Sequence, residues 1–273
     1  MLAETLGSLV AMAAGELAAA GFEDPRRHAR RLVAAALSLT PAELFLHPGR
    51  IADAHQARDV REMLRHALDH EPLSRILQNR EFWGRPFALS PETFDPRPET
   101  ESAVEAVLRR LPDRQAPRRL LDLGTGSGCL LLALLSELPM SIGVGIDISQ
   151  GAVRTAAQNA RALGFAERAL FVVGDWGRAL SARFEVIVAN PPYIASADLA
   201  LLPREVACYD PPRALDGGKD GLAAYRSIGA GLVTLLAPGG ILMKNGLVLD
   251  GVEKDLAGVG RCVVARPRTC RIS

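Results

Sequence analysis

Residues 118–128 read Arg-Arg-Leu-Leu-Asp-Leu-Gly-Thr-Gly-Ser-Gly, a short apolar run that passes straight into a turn with glycine at every second position. Such a segment ends a strand and opens a helix, because glycine tolerates positive φ and lets another group approach the backbone. The texture then alternates: helix over 127–137, strand 143–147, helix 149–163, strand 169–173 and strand 185–190. Short apolar runs separated by helical runs bury both faces only as a parallel sheet with helices packed on each side. The expected fold class is therefore α/β, a doubly wound, mostly parallel sheet occupying residues 100–273.

Residues 1–72 carry no strand pattern and are expected to form a small N-terminal all-helical domain. Asp24 and Pro25 read as an N-cap and first-turn proline. Thr40 and Glu43 read as a capping box. Over 53–70, Val60, Met63, Leu64 and Leu68 recur at helical spacing and give one buried stripe. Residues 73–99 mix strand-like runs with prolines and are expected to act as a linker containing a hairpin.

Hydrophobic residues make up 48% and charged residues 23% of the 273-residue chain, proportions that exclude a disordered or low-complexity protein. The net charge of +1 gives no global basic field of the kind bulk nucleic-acid binders carry. Cys129, Cys208, Cys262 and Cys270 are scattered, which reads as free, buried thiols in a reducing compartment. The first 21 residues lack a basic leader, and Glu4 and Glu16 interrupt their apolar run, so an amphipathic helix is expected. No apolar stretch of about 18 residues could span a bilayer, and a cytoplasmic location with no membrane partner is expected. All five histidines fall within residues 1–72 without a supporting carboxylate or cysteine pattern, so no metal site is expected.

Gly124, Thr125, Gly126, Ser127 and Gly128 follow a G-x-G-x-G spacing, distinct from the G-x-G-x-x-G that seats a pyrophosphate. Asp147 closes the next strand nineteen residues after Gly128, where a carboxylate can accept both hydroxyls of a ribose. Asp175 and Trp176 follow the third strand, an acid for an adenine amine and a ring to stack on it. Three successive strand ends in that order are similar to the layout that holds S-adenosylmethionine in doubly wound, class I methyltransferases.

Strand 185–190 ends in Asn190, Pro191, Pro192 and Tyr193. The prolines stop the strand and stiffen it, so the Asn190 side chain and the Pro191 carbonyl project as two fixed acceptors. Two acceptors suit a planar NH2 group, an amide or the exocyclic amine of a base, with Tyr193 packing on its plane. Because an amide nitrogen is a poor nucleophile, catalysis would come from orientation and fixed acceptors. No histidine lies beyond residue 70, which excludes a histidine-based triad in this part of the chain.

These residues resemble the release-factor glutamine methyltransferases, the protein-(glutamine-N5) methyltransferase family. The same tetrapeptide also occurs in amino-methyltransferases of DNA and RNA. Two further blocks carry the resemblance: Glu81-Phe-Trp-Gly84 with Asp95-Pro-Arg97-Pro-Glu99-Thr-Glu101, and Glu205 with Asp210 through Asp216-Gly217-Gly-Lys-Asp220-Gly-Leu to Tyr225-Arg226. The resemblance implies that residues 124–128, Asp147, Trp176 and Asn190 contact S-adenosylmethionine, leaving S-adenosylhomocysteine as product. It implies that Asn190, Pro191, Pro192 and Tyr193 hold the glutamine of the Gly-Gly-Gln motif in class I peptide-chain release factors, with residues 1–72 recognising the protein substrate. A monomer without a nucleic-acid partner is expected. Methylation of a nucleic-acid base, or cofactor binding with impaired catalysis, remain the alternative readings.

The sequence also departs from the family pattern. Gln78 stands where a glycine is usual. Phe94 and Asp95 replace two aliphatic residues, an exchange expected to loosen packing. After Met243 the family continues with an acid, a helix and a strand; here Lys244, Asn245 and Gly246 follow, and residues 252–258 resemble the turn before the last strand. About a helix is missing, which is expected to uncover apolar surface at the C-terminal edge of the sheet.

Overall fold

The computed structural model of the protein describes residues 4–244, 247–249, 252–254 and 260–263. Two compact units divide the chain, Met1–Gln78 and Asn79–Ser273. The first therefore ends six residues beyond the limit read from the sequence.

The first unit is built of helices α1 (Leu6–Ala19), α2 (Pro25–Ala36), α3 (Pro41–Leu46), α4 (Ala54–Leu68) and α5 (Leu73–Ile76). Thr5 and Ser8 cap the start of α1 reciprocally, and Thr40 and Glu43 do the same for α3. The Asp53 carboxylate accepts the His55 and Gln56 amides at 2.9 Å and so starts α4. Asp24 differs from the expected cap: it sits at φ +52° and its side chain makes no capping bond, so Pro25 alone sets the start of α2. Leu6, Leu9, Val33 and Val60 are buried in one cluster, and Leu17, Leu32 and Leu64 in a second, with Met63 and Leu68 packed against the latter.

The second unit opens with an antiparallel hairpin, β1 (Asn79–Phe82) and β2 (Arg85–Ala88), followed by α6 (Glu101–Arg110). The chain then runs β3 (Arg119–Leu123), α7 (Cys129–Glu137), β4 (Ile142–Asp147), α8 (Gln150–Ala162), β5 (Ala169–Val173) and β6 (Phe184–Ala189). Short helices α9 (Arg204–Ala207) and α10 (Pro212–Leu215) lead to α11 (Ala223–Leu235) and β7 (Leu236–Lys244). One sheet has the order β5-β4-β3-β6-β7-β8, parallel except for β8 (Leu247–Leu249), which pairs antiparallel with β7. The sheet is doubly wound and mostly parallel.

Period-two alternation along the strands sorts the core. Leu120, Val186 and Val188 face α6, α7 and the hairpin phenylalanines Phe82 and Phe87; Leu121, Leu123, Ile187 and Ala189 face α11 through Ile228, Leu232 and Leu235. Glycine inside β4 has a packing cause: a Cβ at Gly145 would lie 2.6 Å from the Phe171 ring and 2.8 Å from Thr125 Oγ1.

Beyond Leu235 the described residues form strands and no helix. Residues 252–254, read above as part of a turn, form β9 (Val252–Lys254), antiparallel to β10 (Gly260–Val263). Residues 245–246, 250–251, 255–259 and 264–273 lie outside the described part, as do the side chains of the C-terminal edge. The apolar surface expected at the C-terminal edge therefore falls outside the described residues; at the opposite edge, Ile142, Leu170 and Val172 share a face and are exposed. The chain goes from β5 to β6 without a helix, so nothing in that connection covers them. At the two positions expected to loosen packing, Asp95 is buried with its amide donating to Asp210 Oδ1, and Phe94 lies under the Arg97 guanidinium at 5.0 Å. Cys129 is buried as expected, whereas Cys208 is exposed.

Gln78 has φ +50°, the left-handed conformation that favours glycine. Replacing Gln78 with glycine should therefore relieve about 1 kcal/mol of backbone strain. Urea unfolding monitored by circular dichroism is expected to show a higher midpoint for the variant. An unchanged or lower midpoint would mean that the Gln78 side chain compensates for its backbone.

Candidate functional site

Parallel register brings the C-terminal ends of four strands to one edge. Leu123 pairs with Ile146 and Ala189, and Asp147 pairs with Val173. The turns leaving these ends surround a cleft of about 1200 Å³. A crevice beyond the strand carboxyl ends, where the winding direction reverses between β3 and β6, is where open α/β sheets bind ligands.

Gly124, Gly126 and Gly128 all adopt positive φ (75°, 54° and 81°). Gly124 and Thr125 both donate their amides to the Ile146 carbonyl, at 2.8 and 2.9 Å, so the turn folds over the end of β4. Gly124 and Gly126 line the cleft, whereas Thr125 and Ser127 are buried and Gly128 packs towards Ala156 and Phe171. Of the five residues expected to meet a ligand, Gly124 and Gly126 thus border the cleft, and the side chains of Thr125 and Ser127 are buried beneath it.

Asp147 lines the cleft and holds the turn. Its Oδ2 accepts the Gly126 amide at 2.9 Å and its Oδ1 accepts the Ser149 amide at 2.9 Å. Burial pushes its carboxyl above the usual carboxylate range, an effect opposed by those two amides and by the positive charge of Arg213. Each oxygen keeps a second acceptor direction. Trp176, at φ +52°, stands over the turn: a Cβ on Gly124 would lie 3.4 Å from its Cζ3. Asp175 also lines the cleft, and its carboxylate is shared with Arg178 at 2.7 Å.

Asn190, Pro191, Pro192 and Tyr193 leave β6 along the same cleft. Asn190 is half-buried, Pro191 buried and Tyr193 60% exposed. The tetrapeptide, Asp147 and Trp176 therefore border one cavity. Beneath them, the buried Asp122 carboxylate accepts the Thr125 hydroxyl at 2.7 Å.

The chain has relatives of known name. Residues 8–77 match a family described as the PrmC N-terminal domain, and residues 116–265 match one described as a methyltransferase domain. The release factor glutamine methyltransferase of Rhodospirillum rubrum is 47% identical, covering 96% of this chain and 85% of that protein. Those of Bradyrhizobium diazoefficiens and Cereibacter sphaeroides are 41% and 40% identical over 93% and 92% of this chain, and 92% and 94% of theirs. The chain belongs to the release factor glutamine methyltransferase family. Among solved structures, the Thermus thermophilus 16S rRNA N2 G1207 methyltransferase aligns at 22% identity over 61% of this chain and 40% of that one, with a TM-score of 0.44. The fold assignment rests on the strand order itself.

For a member of this methyltransferase family, the sequence reading missed part of the wall. Phe94, Arg97, Glu99 and Thr100 line the cleft beside α10 and the start of α11. The Asp95-to-Glu101 block was legible as a signature, but its side-chain partners were not. Arg97 pairs with buried Asp210 at 2.5 Å, 113 residues away, and Glu101 accepts the Trp83 amide at 2.8 Å. The only available signal was that this block and the Asp210 block occur together.

Burial pushes the Asp122 carboxyl up to about 7; the Thr125 hydrogen bond opposes the shift and the Asp147 charge adds to it. Protonated Asp122 therefore favours the folded state. That contribution is complete below the ordinary carboxylate value near 4 and is lost as pH rises through about 7. Asp122→Asn, neutral throughout, should lose less melting temperature than the parent between pH 4 and pH 8. Parallel declines in the two proteins would show that Asp122 does not titrate in this interval.

Proposed function

We propose that the enzyme transfers the methyl group of S-adenosylmethionine to the side-chain amide nitrogen of the glutamine in the Gly-Gly-Gln motif of class I peptide-chain release factors. The observation that carries this reading is the placement of Asn190 and Pro191 on the same cleft as Asp147 and Trp176. When bound, S-adenosylmethionine supplies an electrophilic methyl group on sulfonium. Asp147 accepts ribose hydroxyls with the acceptor directions left free by its two amide bonds, and Trp176 provides a face for the adenine. Gly124 and Gly126 present bare backbone to the cofactor; nothing lies within 4 Å of where a Cβ on Gly126 would stand.

The Asn190 side-chain oxygen and the Pro191 carbonyl take the two N–H groups of the glutamine amide. That would aim the nitrogen lone pair at the methyl group and meet the positive charge that develops on nitrogen as the C–N bond forms and the C–S bond breaks, its electron pair going to sulfur. One of the two N–H protons then leaves to solvent, giving the neutral methylamide. Tyr193 packs on the amide plane. The first helical unit recognises the body of the release factor; its exposed Phe45, Leu46 and Ile51 offer an apolar contact.

The direct test incubates the enzyme with labelled S-adenosylmethionine and a class I release factor, beside a factor whose motif glutamine is replaced. Mass spectrometry should place one methyl group on the glutamine; label independent of that residue would overturn the reading. Asn190→Ala should lower turnover roughly a hundred- to a thousand-fold while affinity for S-adenosylhomocysteine stays within a few-fold. Unchanged turnover would remove Asn190 from the chemistry. Phe45→Ser should raise KM for the whole factor while leaving KM for a short Gly-Gly-Gln peptide unchanged. Equal effects on both substrates would take recognition away from the helical unit.

A further inference from the structure

The tetrapeptide that holds the substrate leaves the sheet at Ala189, where register with Leu123 and Lys244 still fixes the backbone. Pro191 and Pro192 restrict their own φ angles, yet Tyr193 follows with its side chain largely in solvent. Something must fix that far end, because two acceptors placed by a loop aim a nitrogen only as well as the loop is held.

Residues 215–221 do this, mostly with backbone. Ile194 donates its amide to the Leu215 carbonyl at 3.2 Å, and Gly217 donates to the Ile194 carbonyl at 2.7 Å. Ser196 donates its amide to the Gly218 carbonyl at 3.0 Å and its hydroxyl to Asp216 Oδ1 at 2.7 Å. The same Oδ1 accepts the Gly218 amide at 2.8 Å, and these bonds hold the Asp216 carboxyl below the usual range.

Gly221 closes the assembly. It lies at φ +72°, and a Cβ there would stand 2.4 Å from the Tyr193 carbonyl oxygen and 3.2 Å from its carbon. A Cβ on Gly217 would in turn stand 2.8 Å from both Cα and O of Gly221. Three backbone segments are therefore stacked, 217 on 221 on Tyr193, with no flexible side chain among them to yield. The stack is not a floating loop. Ala223 donates its amide to the Gly217 carbonyl at 2.9 Å and begins α11, whose Ile228, Leu232 and Leu235 are buried under the sheet.

We infer that Gly221 is a positioning residue for methyl transfer: its bare backbone sets where the Tyr193 carbonyl lies, and through it the aim of Asn190 and Pro191. The inference rests on the assignment of that tetrapeptide to the substrate amide. A side chain at 221 must push the Tyr193 carbonyl by about 1 Å to reach ordinary contact, and a misplacement of that size costs roughly 10²-fold in rate. The cofactor side of the cleft, built on the ends of β3, β4 and β5, makes no part of this contact.

The test separates positioning from simple strain. Gly164 has φ +79° with nothing within 4 Å of its Cβ position, in the turn after α8 and away from the cleft. Gly164→Ala therefore carries the same left-handed backbone penalty without touching Tyr193. With full-length protein, kcat and KM for a release factor, affinity for S-adenosylhomocysteine and melting temperature would be measured for Gly221→Ala, Ser196→Ala and Gly164→Ala. Gly221→Ala should lose roughly 10²-fold in kcat with cofactor-product affinity within two-fold. Ser196→Ala, which releases one tether, should lose kcat several-fold in the same pattern. Gly164→Ala should lower the melting temperature and leave kcat unchanged. If Gly221→Ala does not fold, loss of kcat alone in Ser196→Ala supports the inference, and unchanged kcat there overturns it. Full kcat in folded Gly221→Ala, or parallel loss of kcat and cofactor-product affinity, also overturns it. Failure of the underlying assignment has a different signature, full turnover by Asn190→Ala.

Discussion

Register between parallel strands is the constraint on which the site depends. Because Leu123, Ile146 and Ala189 lie opposite one another, the glycine turn, Asp147 and the Asn190 turn emerge at a common cleft. A slip of one residue in any strand would turn its side chains to the other face. The alternation that pins the register is the one that sorts Leu120 from Leu121 and Val186 from Ile187 into the two cores. Packing and site geometry are consequences of the same pattern.

Around that edge, the cleft is closed by residues far apart in the chain. The Asp95-to-Glu101 segment reaches the region after the Asn190 turn through Arg97 and Asp210, with the Phe94 ring against the guanidinium. Asp210 is buried, and its carboxylate meets the Arg97 guanidinium and the Asp95 amide; a buried carboxylate left without such partners is costly. The 217–221 turn meets the Asn190–Tyr193 turn through backbone. One wall thus depends on a charged pair and the other on the absence of side chains. Two blocks of sequence that carry no chemistry of their own therefore accompany Asn190.

The strand and helix spans from 118 to 190 were legible because periodicity reports directly which side of an element is buried. Asp147 and the Asn190 turn were legible because they sit at strand ends, and strand ends are visible in sequence. Which residues of the glycine turn border the cleft was not legible: Gly124 and Gly126 do, while the side chains of Thr125 and Ser127 are buried. Asp24 looked like a cap by residue type, but its left-handed backbone takes the carboxylate away from the helix amides. Residues 252–254 were read as a turn and pair as a strand, because strand pairing depends on a partner elsewhere in the chain.

The sequence by itself determined the doubly wound sheet, the order in which its strand ends present glycine, acid, aromatic and amide, and the family to which that order belongs. These are local facts, set by hydrophobic period, turn chemistry and the identity of a few residues. Only the tertiary structure decided that Asp122 is buried enough to hold a proton near neutrality, that Arg97 meets Asp210, and that Gly221 lies against the Tyr193 carbonyl. Each depends on a distance across residues remote in sequence, and neither residue type nor spacing along the chain specifies such a distance.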